Sequence, residues 1–373
     1  MKIAIITPFP PYRGGISKHS ENLYNELVKS EDVTILNFTR QYPSILFPGK
    51  SQYLNNSRNF NSNKVIRTLD SINPFSWKKT AKIIIEKKID KLIFRFWNPF
   101  FIPAYIFIIK YLKRKKYKIK IFAICDNASS HESFYFQKFL FKKFIKILDG
   151  VITMSNNVQT QVINLYSNIK CKTFFLPIVS DLNQKLDNNI AKNKLGLKPS
   201  CTVFLFFGLI RDYKGLDIFL EAINNINPEL LNSFQCLIVG ESYVDIKKYK
   251  SIVKINVSDN IKWHNEYIPD NLVNLYFSAS DYVVLPYRNG SQSGIIPMAY
   301  HFDKPVISSN VNGLVELVNN NTGLIFENEN IESLKNILEK CIRSTKNFNG
   351  INEMKEELST KNYAKNFLNF INE

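Results

Sequence analysis

The sequence predicts two doubly wound α/β domains, each built on a parallel sheet with helices on both faces. Short apolar runs rich in β-branched residues alternate with stretches of helical periodicity along the chain. The same order restarts after a polar, glycine-poor stretch at 180–200. A length of 373 residues suits about two domains, and a hydrophobic fraction of 45% excludes a disordered or fibrous chain.

The first half opens with a strand, a glycine loop and a helix. KIAIITPF is the predicted strand, PPYRGG is the loop, and ISKHSENLYNELVKS has its apolar residues on one helical face. Further strands are predicted at DVTILNF, KLIFRFW, KIKIFAICDN and GVITMS. Residues 40–64 are polar and are predicted to form a long loop or an irregular insertion.

The second half repeats the alternation. Six strands are predicted, at TVFLFFGLI, QCLIVG, NIKWHNEY, DYVVLPY, KPVISSN and TGLIFE, and a long helical stretch runs from Gly350 to Glu373. We therefore predict domains at 1–178 and 179–355, and a C-terminal helix at 356–373 that packs back toward the first domain. Because such folds bind ligands at the carboxyl ends of their strands, we expect these ends of the two sheets to face a central cleft.

The net charge of +17 belongs entirely to the first half of the chain. Residues 1–180 contain 29 Lys and Arg against 10 Asp and Glu, whereas the remaining residues contain 20 against 22. Seven basic residues lie in the segment that starts at Lys110 and ends at Lys120, and four lysines alternate with apolar residues between Phe136 and Leu148. Such segments favour the anionic surface of a membrane, although a solvated basic helix gives the same pattern.

Other classes of partner and compartment are less compatible with the sequence. A nucleic-acid partner is not expected, because the chain has no helix-turn-helix, RNP or zinc-finger pattern. The five cysteines are isolated, which favours buried thiols in a reducing compartment. No signal peptide is expected, and the most apolar stretch, from Phe100 to Leu112, is shorter than the roughly 20 residues of a spanning helix. We expect a cytoplasmic protein, peripheral at the inner face of the membrane.

Two loops of the second domain suit phosphate. FFGLIRDYKGLD places Arg211 and Lys214 between a strand and a helix, where Arg can grip a diphosphate as a fork and Lys as a point charge, unless both cations are simply solvated. A polar loop before another helix offers backbone donors and small side chains; its residues are Ser291, Gln292, Ser293 and Gly294. Glu316 is predicted at the start of a later helix, where it would complement the helix dipole.

Candidates in the first domain also follow predicted strands. Gly14 and Gly15 let backbone N–H groups approach an anion at a helix amino end, although a glycine pair can also be only a tight turn. Four side chains at later strand ends are further candidates: Trp97, Asp126, His131 and Glu132. Each alone is more typical of a core or an ordinary loop. Their common position at the carboxyl ends of strands makes them candidates.

Taken in order, four segments resemble the retaining glycosyltransferases of the GT-B fold, specifically the large family four. The segments are TPFPPYRGGISKHSENLYNEL, then FWNPFF with ICDNASSHE, then FFGLIRDYKGLD, then QSGIIPMAYHFDKPVISSNVNGLVELV. The resemblance covers nearly the whole chain. It implies transfer of a sugar from a nucleotide-diphosphate sugar to a cell-surface glycan or lipid-linked acceptor, with retention of configuration and with no metal or other cofactor.

The resemblance also implies roles for the candidate residues. Arg211 and Lys214 would hold the diphosphate, and Asp126 completes the predicted catalytic set. The donor would contact two regions, Gly14 with Gly15 and the loop of Ser291, Gln292, Ser293 and Gly294, together with Glu316. The acceptor side would include Trp97, His131 and Glu132.

This chain departs from the family pattern at several positions. Most members carry two glutamates separated by seven residues, and this chain has Gly290 and Met298 at these two positions. The second glutamate, which usually holds the nucleotide ribose, is therefore missing. Leu209 replaces a usual Arg, and Asp126 replaces a usual His. Two alternatives therefore stay open, a sugar-nucleotide epimerase of the same fold and a catalytically inactive partner in glycan assembly.

Overall fold

The chain folds as two compact units. The computed structural model describes residues 1–43, 52–53, 63–127, 135–179, 182–344 and 346–373. Unit 1 comprises Met1–Val179 and Ser359–Glu373, and unit 2 comprises Ser180–Leu358. The boundaries predicted from the sequence, after residues 178 and 355, lie close to these divisions.

Unit 1 is built on a parallel sheet of seven strands in the order β3-β2-β1-β4-β5-β6-β7. The strands are β1 (Lys2–Ile6), β2 (Asp32–Arg40), β3 (Val65–Asp70), β4 (Lys91–Phe96), β5 (Lys120–Cys125), β6 (Gly150–Thr153) and β7 (Cys171–Thr173). The helices between them are α1 (Gly15–Leu27), α2 (Pro74–Glu86), α3 (Ile102–Arg114), α4 (Tyr135–Ile145) and α5 (Asn156–Leu165). The strand order reverses between β1 and β4, so the loops that follow these two strands flank the topological switch point, where such sheets bind ligands.

Unit 2 repeats this plan with six parallel strands in the order β10-β9-β8-β11-β12-β13. They are β8 (Thr202–Phe207), β9 (Phe234–Val239), β10 (Ile261–His264), β11 (Tyr282–Leu285), β12 (Val306–Ser309) and β13 (Gly323–Phe326). The helices are α6 (Asn188–Lys194), α7 (Leu216–Asn224), α8 (Ile246–Lys250), α9 (Asp270–Ala279), α10 (Ile295–His301), α11 (Asn312–Val315), α12 (Ile331–Arg343) and α13 (Ile351–Glu357). The predicted class, an α/β protein with two Rossmann-like doubly wound sheets, is confirmed.

The helical stretch at the C-terminus is two helices rather than one. After α13, the chain turns at Ser359 and continues as α14 (Thr360–Asn372). The Ser359 side chain accepts a hydrogen bond from the backbone N–H of Asn362, which makes it the N-cap of α14. The chain passes from unit 2 to unit 1 at this cap.

Helix α14 completes the core of unit 1 on one face of the sheet. Phe367, Phe370 and Ile371 are fully buried among apolar side chains of α1 and of the central strands. The other face is covered by α2, α3, α4 and α5, which form a separate core cluster. None of the helices in the described part of the chain is both long and apolar enough to cross a membrane.

Replacement of Phe367 tests the dependence of unit 1 on this helix. Phe367→Ala removes a fully buried ring, so we expect a loss of about 3–5 kcal/mol in the free energy of unfolding, measured by urea denaturation. Lys365→Ala, an exposed position of the same helix, is the matched control. Equal stabilities of the two variants would contradict the packing of α14 on unit 1.

Candidate functional site

The loop between β8 and α7 is fixed by a close approach of backbone. It contains one 3-10 turn, Asp212–Lys214, followed by Gly215 in the left-handed conformation with φ of +66°. A Cβ at Gly215 would lie 1.8 Å from the carbonyl oxygen of Pro286, which follows β11. Only glycine fits there. The loops on the two sides of the switch point of unit 2 are therefore packed against each other.

Lys214 is a buried cation in this loop. It is only 8% exposed, and its Nζ lies 5.2 Å from the centre of the Tyr287 ring. Burial lowers the pKa of the Lys214 ammonium below its usual 10.5; the nearby Tyr213 opposes this shift, and the Arg211 cation adds to it. The structure therefore holds an ammonium group where its charged form is disfavoured.

The two cations have no acidic partner within the part of the chain that the structure describes. Neither Arg211 nor Lys214 forms an ion pair with a carboxylate there, and Arg211 instead lies over the Tyr243 ring, 4.9 Å from its centre. The neighbouring carboxylates have other partners. Asp212 accepts hydrogen bonds from Lys248 and from the Tyr249 hydroxyl. The arrangement offers two positive groups to an anion at the carboxyl end of β8.

Arg288 connects the two loops of unit 2 and was missed by sequence reasoning. Its guanidinium binds the Asp217 carboxylate with two bonds of 2.9 and 2.6 Å, and it also donates to the carbonyl of Asp212 at 2.9 Å. Its backbone N–H donates to the carbonyl of Tyr213 at 2.8 Å. The only sequence signal was an Arg directly after a predicted strand. Arg288 positions the turn that carries Lys214.

The predicted phosphate loop lies on the other side of the switch point, after β11. The side chain of Ser293 meets the Tyr287 hydroxyl at 3.4 Å and accepts a hydrogen bond from the N–H of Ile295, the first residue of α10. The other predicted loop residues flank Ser293; they are Ser291, Gln292 and Gly294, the N-cap of α10. Since Tyr287 also lies beside Lys214, this loop and the cations belong to one site within unit 2.

The predicted position of Glu316 at the start of a helix is wrong. Helix α11 comprises only Asn312–Val315, and Glu316 is its C-cap. Complementation of the dipole at a helix amino end therefore does not explain this carboxylate. The sequence Asn-Gly-Leu-Val forms the helix, and the chain turns after one turn of it.

In unit 1, Gly14 and Gly15 form an open amino end of α1. Gly14 is the N-cap, with φ of +114°. A Cβ at either position would have no atom of the described residues within 4 Å. Gly15 has an ordinary φ, so neither the backbone conformation nor the surrounding protein requires a glycine there. The space next to these two residues can accept part of a ligand.

Asp126 lies in a buried cluster of polar side chains at the carboxyl end of the sheet of unit 1. Its two oxygens accept bonds of 2.6 and 2.5 Å from Nε and Nη2 of Arg95. Nη1 of Arg95 lies 2.6 Å from Nδ1 of His19, and the ring of Tyr363 packs edge-on against His19. We call His19, Arg95, Asp126 and Tyr363 the buried cluster. Sequence reasoning singled out only Asp126, although Arg95 interrupts an apolar strand and so gave a signal.

The remaining candidates of unit 1 are less informative. Trp97 donates its indole N–H to the Tyr42 hydroxyl at 2.9 Å and packs on Phe101, so it is part of an aromatic core as well as following a strand. His131 and Glu132 lie outside the described residues.

The two basic segments place their apolar side chains in the core of unit 1. In α4, Phe141, Phe144 and Ile145 are buried, whereas the lysines are exposed. Phe139 is the exception, at 52% exposure, with the Lys143 ammonium over its ring. In α3, Ile108, Ile109 and Leu112 are buried in the same way. Among the described side chains, the surface of α3 and α4 is therefore mainly cationic, with little apolar area for insertion into lipid.

The fold and the position of the site define a class. Two Rossmann-like units, each with candidate ligand loops at its switch point, are the architecture of GT-B glycosyltransferases. Sucrose-phosphate synthase from Thermosynechococcus elongatus superposes with a TM-score of 0.74 at 14% identity, over 99% of this chain and 98% of that one. Anabaena Alr3699/HepE in complex with UDP gives 0.74 at 15% identity over the full length of both chains. A glycosyltransferase from Rickettsia africae gives 0.71 at 19% identity, over 99% and 97%.

Sequence comparison finds similarity to glycosyltransferases within unit 2. Residues 201–344 match the family model described as Glycosyl transferases group 1. D-inositol 3-phosphate glycosyltransferase from Rhodococcus jostii is 30% identical over 165 residues, which are 42% of this chain and 36% of that protein. The chain thus matches about a third of the length of this curated relative. The match to the group 1 glycosyl transferases lies within unit 2, and the resemblance to a glycosyltransferase that the sequence predicted is confirmed.

The two glycines of α1 give a test of the open space beside them. Gly14→Ala places a side chain at a φ that only glycine adopts freely, so we expect a loss of about 1–3 kcal/mol in the free energy of unfolding. Gly15→Ala should leave that free energy within about 0.5 kcal/mol, because its Cβ meets no described atom. Both values come from urea denaturation. A large loss in Gly15→Ala would show that the space is already filled by protein.

Proposed function

We propose that the protein is a glycosyltransferase that moves a sugar from a nucleotide-diphosphate sugar to a cell-surface glycan or lipid-linked acceptor. The transfer retains the anomeric configuration and needs no metal ion. The observation that carries this proposal is Lys214, which lies buried beside Arg211 with no carboxylate partner among the described residues. A diphosphate supplies the negative charge that this site lacks.

The two cations stabilise the charge that develops as the donor reacts. The bond between the anomeric carbon and the diphosphate oxygen breaks, and both bonding electrons stay on the leaving diphosphate. Arg211 and Lys214 neutralise this charge in a partly desolvated site, where fixed charges act more strongly than in water. The acceptor oxygen bonds to the anomeric carbon from the same face, and its proton passes to the leaving phosphate. No nucleophile of the protein is required.

The other candidate residues complete the donor and acceptor contacts of this proposal. Ser291, Gln292, Ser293 and Gly294 supply hydrogen bonds beside the cations in unit 2, and Glu316 contacts the donor near them. Met298 stands where a ribose-binding carboxylate is usual, so the ribose takes its hydrogen bonds from other groups. Gly14 and Gly15 receive the sugar end of the donor at the open amino end of α1. Trp97, His131 and Glu132 belong to the acceptor side.

The comparisons support the donor class. Several structures with this fold were determined with nucleotides or nucleotide sugars, including Anabaena Alr3699/HepE with UDP-glucose and a starch synthase domain with ADP. The curated relative acts as a D-inositol 3-phosphate glycosyltransferase. The second hypothesis is a sugar-nucleotide epimerase of the same fold. Conversion of a nucleotide sugar to its epimer in the absence of an acceptor would favour it. An inactive assembly partner would bind no donor productively.

A panel of nucleotides tests the proposal. Thermal unfolding is measured with UDP, GDP, ADP and their glucose, galactose and mannose conjugates, and at least one nucleotide should raise the melting temperature. Arg211→Ala and Lys214→Ala should remove that shift and the transfer activity, whereas Lys247→Ala, at an exposed lysine of unit 2, should keep both. No shift with any nucleotide would overturn the proposal.

The pKa of Lys214 predicts how binding depends on pH. Because this pKa lies below 10.5 in the free protein, the ammonium loses its proton at a lower pH than an ordinary lysine. A bound diphosphate favours the charged form and raises the pKa again. The affinity should therefore fall as the pH rises through the lowered pKa, and binding should take up protons in that range.

Calorimetry of the nucleotide that binds best, at several pH values and in two buffers of different ionisation enthalpy, measures both effects. Lys214→Arg is the matched variant, since its side chain stays charged throughout. In the variant, the affinity should no longer fall with rising pH below pH 10.5. The same pH profile in wild type and variant would rule out Lys214 as its source.

We also propose that unit 1 works against the anionic inner face of a membrane. The exposed lysines of α4 and the basic residues between Lys110 and Lys120 supply the attraction, at about 1 kcal/mol per cation near the surface. Because the described apolar side chains of both segments are mostly buried or half-buried, this contact is mainly electrostatic, although Phe139 of α4 is exposed. A lipid-linked acceptor would be met at this surface.

Charge reversal in α4 and at Lys146, which directly follows it, tests the membrane contact. The four substitutions Lys138→Glu, Lys142→Glu, Lys143→Glu and Lys146→Glu should lower flotation with phosphatidylglycerol vesicles at physiological salt at least tenfold. The control reverses four exposed lysines of unit 2, namely Lys247, Lys250, Lys254 and Lys340. Equal losses in both variants would indicate an unspecific charge effect. Tight binding of duplex DNA at the same salt would contradict the membrane proposal.

A further inference from the structure

The buried cluster joins four elements of unit 1. His19 comes from α1, Arg95 from β4, Asp126 follows β5, and Tyr363 comes from α14. All four side chains are at least nine-tenths buried. The ion pair of Arg95 with Asp126 balances its own charge, so the cluster needs no external anion, in contrast to Lys214.

Arg95 sets the tautomer of His19. A guanidinium can only donate hydrogen bonds, so Nδ1 of His19, which lies 2.6 Å from Nη1 of Arg95, must accept. Burial lowers the pKa of His19 well below its usual 6.5, and the Arg95 charge adds to this shift. The imidazole is therefore neutral at physiological pH and carries its proton on Nε2. This N–H has no acceptor among the described residues.

The carboxylate of Asp126 is hydrogen-bonded within the same cluster. Both of its carboxylate oxygens accept from Arg95, and its backbone N–H donates to the carbonyl of Phe96 at 2.8 Å. Moving a substrate proton onto this carboxylate would weaken a buried ion pair, which is costly. The structure therefore favours an indirect role for Asp126, through Arg95, over the role of catalytic base.

The glycine loop is connected to this cluster along α1. His19 lies four residues after Gly15, one helical turn away, which is about 6 Å along the helix axis. A second contact, between the hydroxyls of Ser20 and Thr7 at 2.6 Å, fixes the same turn of α1 to the end of β1. The bond from Arg95 to His19 thus holds the amino end of α1, and with it Gly14 and Gly15, in one place over the sheet.

We propose that His19 is a positioning residue, which acts through its bond to Arg95 and the Arg95–Asp126 ion pair to hold the glycine loop where the ligand meets it. This inference rests on the proposed function for its effect on sugar transfer. His19 itself does not touch the reacting atoms. Loss of its bond to Arg95 leaves the loop free to move and lowers the rate of transfer.

Two substitutions of His19 separate this role from others. In His19→Asn, the side-chain oxygen can take the place of Nδ1 and accept from Arg95, but the Nε2 donor is lost. In His19→Ala, both are lost. We expect kcat within about threefold of wild type for His19→Asn and at least tenfold lower for His19→Ala. The affinity for the free nucleoside diphosphate should be unchanged in both, because unit 2 binds it.

A second measurement does not depend on activity. The backbone N–H of Lys18 donates to the carbonyl of Gly14 at 3.1 Å, at the amino end of α1. Hydrogen exchange of this amide should be at least tenfold faster in His19→Ala than in wild type, and little changed in His19→Asn. If the wild type binds no nucleotide, the proposed function fails, while this exchange experiment still decides the positioning role.

Several results would overturn the proposal. Full activity of His19→Ala, or unchanged exchange of the Lys18 amide, would show that the bond to Arg95 positions nothing. Equal losses of kcat in both variants, with the melting temperature retained, would show that Nε2 contacts the substrate. Losses of activity that follow the melting temperature in both variants would show a purely structural role.

Discussion

A buried ammonium group, Lys214, that has no negative partner among the described residues is the constraint on which the site depends. Desolvation of a charge costs several kcal/mol even in real proteins, and the lowered pKa of Lys214 reflects this cost. The surrounding structure nevertheless fixes the cation in place. Gly215 allows the backbone of its loop to touch Pro286, and Arg288 connects the same turn to the loop after β11. A bound diphosphate would offset the free energy that the free protein loses by burying this ammonium group.

The buried cations of the two units differ in whether a carboxylate of the protein balances their charge. In unit 1, Arg95 is neutralised by Asp126, so the charge of this buried cluster is balanced within the protein. In unit 2, Lys214 and Arg211 have no such carboxylate among the described residues, so their positive charge is not balanced there. Both sites lie at the carboxyl ends of parallel strands, near β4 and β5 in unit 1 and after β8 and β11 in unit 2. The same fold thus contains one buried cation whose charge is balanced by a carboxylate and one that has no such partner among the described residues.

Much of the architecture could be predicted from the sequence, because buried parallel strands read as continuous apolar runs. All six strands of unit 2 were predicted. In unit 1, β3 and β7 were missed, because VIRTLD alternates with polar residues and Cys171–Thr173 is only three residues long.

The Arg211 and Lys214 loop was found because its residue types are chemically distinctive. The other members of the buried cluster around Asp126 were not predicted, because His19 and Arg95 are 76 residues apart in the chain and meet only through tertiary packing. The apolar residues of the basic segments could likewise face lipid or core on sequence alone, and the structure places them in the core.

A comparison of one nucleoside with its diphosphate tests the central claim most directly. For the base that binds best, calorimetry gives the affinities of nucleoside and nucleoside diphosphate to the wild type and to Lys214→Met, whose side chain is similar in size but uncharged. The account predicts that the wild type binds the diphosphate at least a hundredfold more tightly than the nucleoside, and that Lys214→Met loses most of this preference while its affinity for the nucleoside is unchanged. Equal affinities of the wild type for both ligands would contradict it.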